Sequence, residues 1–177
     1  MRKLKLDELK RVSVNEFKKQ SKTPIIVVME NIRSLNNVGT IFRTCDAFNI
    51  ESVYLIGITA KPPHREIQKT ALGATESVDW EYFETSQDAI AKLKSNGFKI
   101  FSVEQAEGSK SINEISNMRC DKIALFFGNE ITGINQETID SSDCCIEIPQ
   151  YGTKHSLNVA VCAGIIIWEC FSSLNKS

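Results

Sequence analysis

The sequence has no G-x-G-x-x-G run for a dinucleotide and no complete P-loop. Gly128 and Gly133 have the P-loop's glycine spacing, but Ile134 and Asn135 stand where the phosphate-reaching lysine and the magnesium hydroxyl belong. A nucleophile elbow is also missing, since Ser156 sits in Lys-His-Ser-Leu-Asn rather than G-x-S-x-G. There is no C-x-x-C pair among Cys45, Cys120, Cys144, Cys145, Cys162 and Cys170, and His64 and His155 are the only histidines. Neither histidine lies at ligand spacing from a cysteine pair, so no zinc or other metal is expected. Several cysteines stand in apolar runs, as buried free thiols do, which points to reduced, structural residues in a cytoplasmic protein. No run reaches the ~18 apolar residues of a spanning helix, and the N-terminus lacks a signal-peptide core, so no membrane partner is expected. The net charge of −1 exerts no global pull on a polyanion, which leaves that task to a local basic patch.

What is present fits one globular domain over residues 1–177, with 42% apolar and 24% charged residues, no linker and no repeat. Residues 1–22 read as a short helical extension. Leu4, Leu6, Leu9, Val12, Val14 and Phe17 fit one amphipathic helix or two short ones. The extension is rich in basic residues, Lys10 among them, but Asp7, Glu8 and Glu16 interrupt the run, so a basic patch and a solvated helix face are equal readings.

From Ile25 onward strands and helices alternate. Ile25–Met29, Ser52–Ile56, Lys99–Val103, Lys122–Phe127 and Cys144–Ile148 read as strands, with Val78–Phe83 as a minor one. Ser86–Ser95 reads as a helix with Gly97 just past its end. The pattern predicts an α/β fold whose mostly parallel sheet carries helices on both faces. The stretch from Glu147 to Glu169 organises the rest. It is expected to leave a strand at Pro149, to cross a polar loop where Gly152 is free to take positive φ, and to enter a helix N-capped by Ser156. Leu157 to Trp168 is apolar nearly all round, as a helix buried in a core or against a second subunit would be.

Ligands of open α/β sheets bind at the carboxyl ends of strands. Three such ends are polar or glycine-rich here: after Val103, after Phe127 and after Ile148. Asn37, Arg43, Glu130, Ser156 and Asn158 make up the polar cluster that remains to explain. Three blocks carry it: NNVGTIFRTCDAF at 36–48, LFFGNEITGI at 125–134 and IEIPQYGTKHSLNV at 146–159. In order and spacing they resemble the three motifs of the SpoU/TrmH family of S-adenosylmethionine-dependent RNA 2′-O-ribose methyltransferases, in the SPOUT superfamily.

The resemblance spans Ile25 to Trp168. It implies a deep trefoil knot in the C-terminal part, a homodimer packed through the first and last helices, and S-adenosylmethionine as cofactor. It implies an RNA substrate, tRNA before rRNA, with a D-loop guanosine as the favoured nucleotide. Cofactor contacts carried over fall at Val103, Glu104, Gly128, Ile148 and Leu157. Arg43 is carried over as the residue acting on the ribose 2′-hydroxyl. Because arginine resists deprotonation, orientation and phosphate clamping come before general-base action; the structural alternative pairs it with Asp46 or Glu130. Asn37 would orient Arg43 or cap its helix, and Glu130 would fix loops, bind substrate or pair with Arg43. Ser156 and Asn158 would face the nucleotide, and His64, Arg65 and Lys69 would meet RNA phosphates. Two motif positions depart mildly: Gln150 stands where the family often has Met, and SLNVAVCAG where it often has SLNVSVA. The separate N-terminal RNA-binding domain of some members is lacking, so the extension is expected to share in docking. The rival reading is a non-catalytic RNA-binding or assembly module on the same fold.

Overall fold

The structure, a computed structural model, describes residues 1–9, 11–118 and 120–175. Lys10 of the basic run and residues 176–177 of the expected domain lie outside them. The apolar runs become β1 (Thr23–Glu30), β2 (Ile50–Ile56), β3 (Trp80–Phe83), β4 (Lys99–Val103), β5 (Lys110–Ser111), β6 (Ile123–Phe127) and β7 (Cys144–Glu147). They form one sheet in the order β3-β2-β1-β6-β4-β7-β5, and every pairing is parallel. The two-residue β5 has no counterpart in the sequence reading, because a strand that short shows no periodicity.

Successive strand residues face opposite sides, and both sides are covered. Ile25, Val27, Met29, Leu125 and Phe127 belong to a core built with α2 (Leu35–Ala47), α3 (Arg65–Ala71) and α7 (Val159–Leu174). Ile26, Val28, Ala124 and Phe126 face α5 (Ser86–Ser95), meeting Ala89, Ile90 and Leu93. Burial on both faces explains why these strands read as unbroken apolar runs rather than alternating ones.

Of the two readings of the N-terminal extension, the structure takes the one with two short pieces: a 3-10 turn at Leu6–Leu9 and α1 (Val14–Lys19). A Ser13–Glu16 capping box starts the second piece, and Phe17 is its buried anchor. A second short helix, α4 (Ala74–Ser77), follows α3, and α6 (Gln136–Asp140) follows β6. The expected Gly97 stop holds, with φ of 79°.

Gly152 does not use its freedom to take positive φ. One expectation about the 147–169 stretch is corrected. The N-cap of α7 is Asn158, whose Oδ1 accepts from the amides of Ala160 at 2.9 Å and Val161 at 3.3 Å. Ser156 and Leu157 therefore belong to the loop. Asn158 wins because its amide group also bonds elsewhere, so one side chain serves two elements. Within α7, Ala160, Ala163, Ile166, Ile167 and Cys170 are buried, while Val161 is 53%, Ile165 40% and Trp168 53% exposed. The all-round apolar character is thus real, and in the single chain one stripe of it faces water.

The first and last major helices lie side by side. At their N-terminal ends Asn158 meets Asn37; at their C-terminal ends the Phe48 ring lies 5.6 Å from that of Trp168 and 5.3 Å from that of Phe171. Gly39 lets α3 close on α2, since a Cβ there would collide with the Thr70 hydroxyl and the Ile67 carbonyl.

Candidate active site

The loops after β4, β6 and β7 enclose a cleft of about 660 Å³ at the carboxyl ends of the strands, a size typical of small-molecule sites. Val103, Glu104, Gly128, Ile148 and Leu157 all line it, as do Glu130, Ser156, Asn158 and His155. Val103, Phe127, Ile134, Ile146 and Leu157 supply apolar surface, and Glu104, Gln105, Asn129 and Gln150 supply polar groups. This mix suits a flat apolar-faced base carrying a charged tail, so the residues present fit S-adenosylmethionine.

The 128–135 wall is held by polar side chains. Asn129 and Gly133 exchange backbone hydrogen bonds of 3.1 and 2.9 Å. Asn129 Oδ1 accepts from the amides of Ile131 and Thr132 at 2.9 and 3.1 Å, and its Nδ2 donates to the Asn31 carbonyl at 2.7 Å. Two carboxylates then hold consecutive amides: Glu104 accepts from Ile134 at 3.1 Å, and Glu30 accepts from Asn135 at 2.9 Å. Glu30 is almost wholly buried at the end of β1 and also accepts from the hydroxyls of Ser86 and Thr138. Sequence reasoning missed it; the signal was an acid standing directly at the end of the apolar Ile25–Met29 run.

Gly128 also serves the wall itself. A Cβ there would strike the backbone of Gly133 and Ile134, so the glycine admits its own returning loop.

The three sequence blocks meet in one network. Glu130 accepts from the backbone amides of Arg33 and Ser34 and from Asn37 Nδ2, each at 3.0 Å. Asn158 Nδ2 donates to Asn37 Oδ1 at 3.2 Å. Burial pushes the Glu130 carboxyl up, but the hydrogen bonds, led by those from Arg33 and Asn37, outweigh it and hold the group below its ordinary 4.5. Of the three roles open to Glu130, fixing loops is the one its bonds serve. The Asn37 side chain joins Glu130 to Asn158 rather than orienting Arg43, and Ser34 caps the helix.

Arg43 is exposed, and no hydrogen bond or ion pair joins it to any described residue. The pairing with Asp46 or Glu130 is absent; Asp46 instead accepts from the Ser77 hydroxyl at 2.6 Å. Arg43 lies six residues beyond Asn37, about 9 Å further along the helix axis, and does not line the cleft of its own chain. His64, Arg65 and Lys69 lie on or beside α3, also away from the lining. There His64 Nδ1 caps the Glu66 amide at 3.2 Å and Lys69 pairs with Glu66 at 2.8 Å. Cys162 does line the cleft, but burial lifts its thiol to about 11, so it stays protonated and inert. No helix among the described residues is long and apolar enough to cross a membrane.

Comparison with known proteins agrees with this geometry. The model of the SpoU rRNA Methylase family matches residues 24–168. A tRNA (guanosine(18)-2′-O)-methyltransferase of Borreliella burgdorferi is 30% identical over 150 residues, covering 85% of this chain and 67% of its own. The crystal structure of the Aquifex aeolicus TrmH/SpoU tRNA modifying enzyme superposes with a TM-score of 0.80 at 27% identity, covering 92% of this chain and 81% of that one. That of an AdoMet-bound rRNA methyltransferase from Sinorhizobium meliloti superposes with a TM-score of 0.80 at 27% identity, covering 93% and 62%.

Proposed function

Since the chain belongs to the SpoU rRNA Methylase family, we propose as the reaction of its cleft the transfer of a methyl group from S-adenosylmethionine to a ribose 2′-hydroxyl of RNA. The observation that carries this reading is the meeting of three distant blocks, through Asn37, Glu130 and Asn158, at the wall of one cleft. When bound, S-adenosylmethionine supplies a methyl group on a cationic sulfur that leaves as a neutral thioether. The chain's task is to hold the acceptor in line. Val103, Glu104, Gly128, Ile148 and Leu157 hold the cofactor. The Asn37–Glu130–Asn158 network fixes the loop entrances, and Ser156 faces the acceptor nucleotide. Arg43 acts on the RNA, clamping a phosphate and orienting the ribose, a role supported by its exposure and its freedom from any ion pair among the described residues. His64, Arg65 and Lys69 add phosphate contacts beyond the cleft.

The substrate is tRNA, as for the Borreliella and Aquifex relatives, and the finer proposal is a D-loop guanosine, in keeping with the guanosine 18 named in the former. The Sinorhizobium relative makes rRNA the competing substrate. A homodimer is supported by the exposed stripe of Val161, Ile165 and Trp168, a contiguous apolar surface of the kind that marks an interface. Sedimentation should show a dimer at micromolar concentration, and a monomer there would remove this part of the reading. The knot is supported by β6, which inserts between β1 and the earlier β4, while β7 lies on the far side of β4. One sheet with one core on each face supports a single domain over residues 1–177. An RNA substrate supports a cytoplasmic site of action.

Labelled S-adenosylmethionine incubated with the protein and either a tRNA transcript or ribosomal RNA tests the reaction. Methyl incorporation into ribose supports it. RNA binding without incorporation would favour a non-catalytic module.

A further inference from the structure

The cleft is polar at its mouth, yet the two large apolar side chains most exposed after Met1 belong to its rim. Tyr151 is 96% and Ile131 76% exposed. Ile131 lines the cleft from the β6 loop, and Tyr151 follows the cleft-lining Gln150 in the β7 loop. The exposure of Ile131 is enforced. It sits at the tip of the turn closed by the Asn129–Gly133 pair, and its own amide is bound to Asn129 Oδ1. Neither residue contributes to the core clusters. Holding apolar surface in water costs free energy that burial against a partner recovers.

We propose that Tyr151, with Ile131 on the opposing loop, packs against the faces of the nucleobase whose ribose enters the cleft. The inference rests on RNA being the substrate, and it adds a base contact to a site otherwise described by ribose, phosphate and cofactor. Two features favour a base over a second copy of the chain. The Tyr151 loop is polar and basic, with Gln150, Thr153, Lys154, His155 and Ser156, whereas the centres of subunit interfaces are depleted of charge and of lysine. Single-stranded RNA is recognised by splaying bases onto aromatic rings beside cationic groups that meet the backbone. The continuous apolar face on α7 lies elsewhere and supplies the surface a second copy needs.

The test begins by mapping the nucleotide methylated in a tRNA transcript and replacing it with 2-aminopurine, whose fluorescence falls on stacking. The wild-type protein should quench it, Tyr151→Ala should not, and Tyr151→Phe should restore the quench. Tyr151→Ala should raise KM for tRNA about 5- to 100-fold, the effect of losing one base–aromatic stack, with cofactor affinity unchanged. Ile131→Ser should raise KM by less. Wild-type KM and quench in Tyr151→Ala would overturn the inference while leaving the reaction standing. A Tyr151→Ala protein that sediments as a smaller species than wild type would overturn it too, assigning the ring to a contact between copies. No methylated nucleotide in any RNA would defeat the reaction itself, and the base contact with it.

Discussion

Replacing Glu30 probes how the cleft wall is held. Its Oε2 accepts from the Asn135 amide; its Oε1 accepts from Thr138 Oγ1 at 2.7 Å, from Asn135 Nδ2 at 3.4 Å and from the Ser86 hydroxyl. Glu30→Ala strands the partly buried Asn135 amide, which cannot turn away; an unsatisfied donor there costs about 1–2 kcal/mol. The two hydroxyls can rotate and lose less, but the lost methylene removes about 0.8 kcal/mol of burial. Relief of carboxylate desolvation offsets part of this. The net loss should be about 2–4 kcal/mol, or roughly 4–15 °C in melting temperature for a domain of this size. Glu30→Gln should cost only about 1 kcal/mol. Turned so that its oxygen meets the Asn135 amide, its NH2 faces two hydroxyls that can accept. Thermal melts followed by circular dichroism, with cofactor titrations on both variants, measure this. The reasoning fails if Glu30→Ala melts with wild type, or if Glu30→Gln is as damaging as Glu30→Ala.

Gly128→Val should lower stability and cofactor affinity together, because the added side chain collides with the Gly133–Ile134 backbone that forms the wall; calorimetry showing lost cofactor affinity with an unchanged melting temperature would contradict this. Arg43→Ala should abolish methyl transfer without lowering the melting temperature or cofactor affinity, since the exposed Arg43 side chain has no hydrogen bond or ion pair to any described residue; a clear drop in melting temperature would return it to a structural role. Glu130 titrates below its ordinary 4.5 in the folded protein, so its contribution is complete above about pH 4.5 and is lost as pH falls through the folded value. Glu130→Gln should therefore flatten the acid limb of a stability-versus-pH curve, and an unchanged limb would show that Glu130 carries none of it.

Much of the fold was legible because burial on both sheet faces writes strands as plain apolar runs, as in Ile25–Met29 and Ile123–Phe127. The cleft's location followed from the polar strand ends after Val103, Phe127 and Ile148. What the chain could not reveal locally were side chains working across long separations. Glu104 was expected only as a cofactor contact, but its carboxylate also latches Ile134, thirty residues on. In sequence Arg43 stands among Ile41, Phe42 and Cys45, all of them buried. Helical geometry instead sets it with Asn36, Thr40 and Ala47 on the outer side of α2. Asn158 and Ser156 both have capping chemistry, and only the position of Asn37 decides between them.

Ribose methylation is the central claim, and one measurement addresses it most directly: mass spectrometry of nucleosides from a tRNA transcript incubated with the protein and S-adenosylmethionine, with fragment mapping. The account predicts a single 2′-O-methylated nucleotide, a D-loop guanosine, formed by the wild type and not by Arg43→Ala. Methylation on a base, or an Arg43→Ala protein that methylates as fast as wild type, would contradict it.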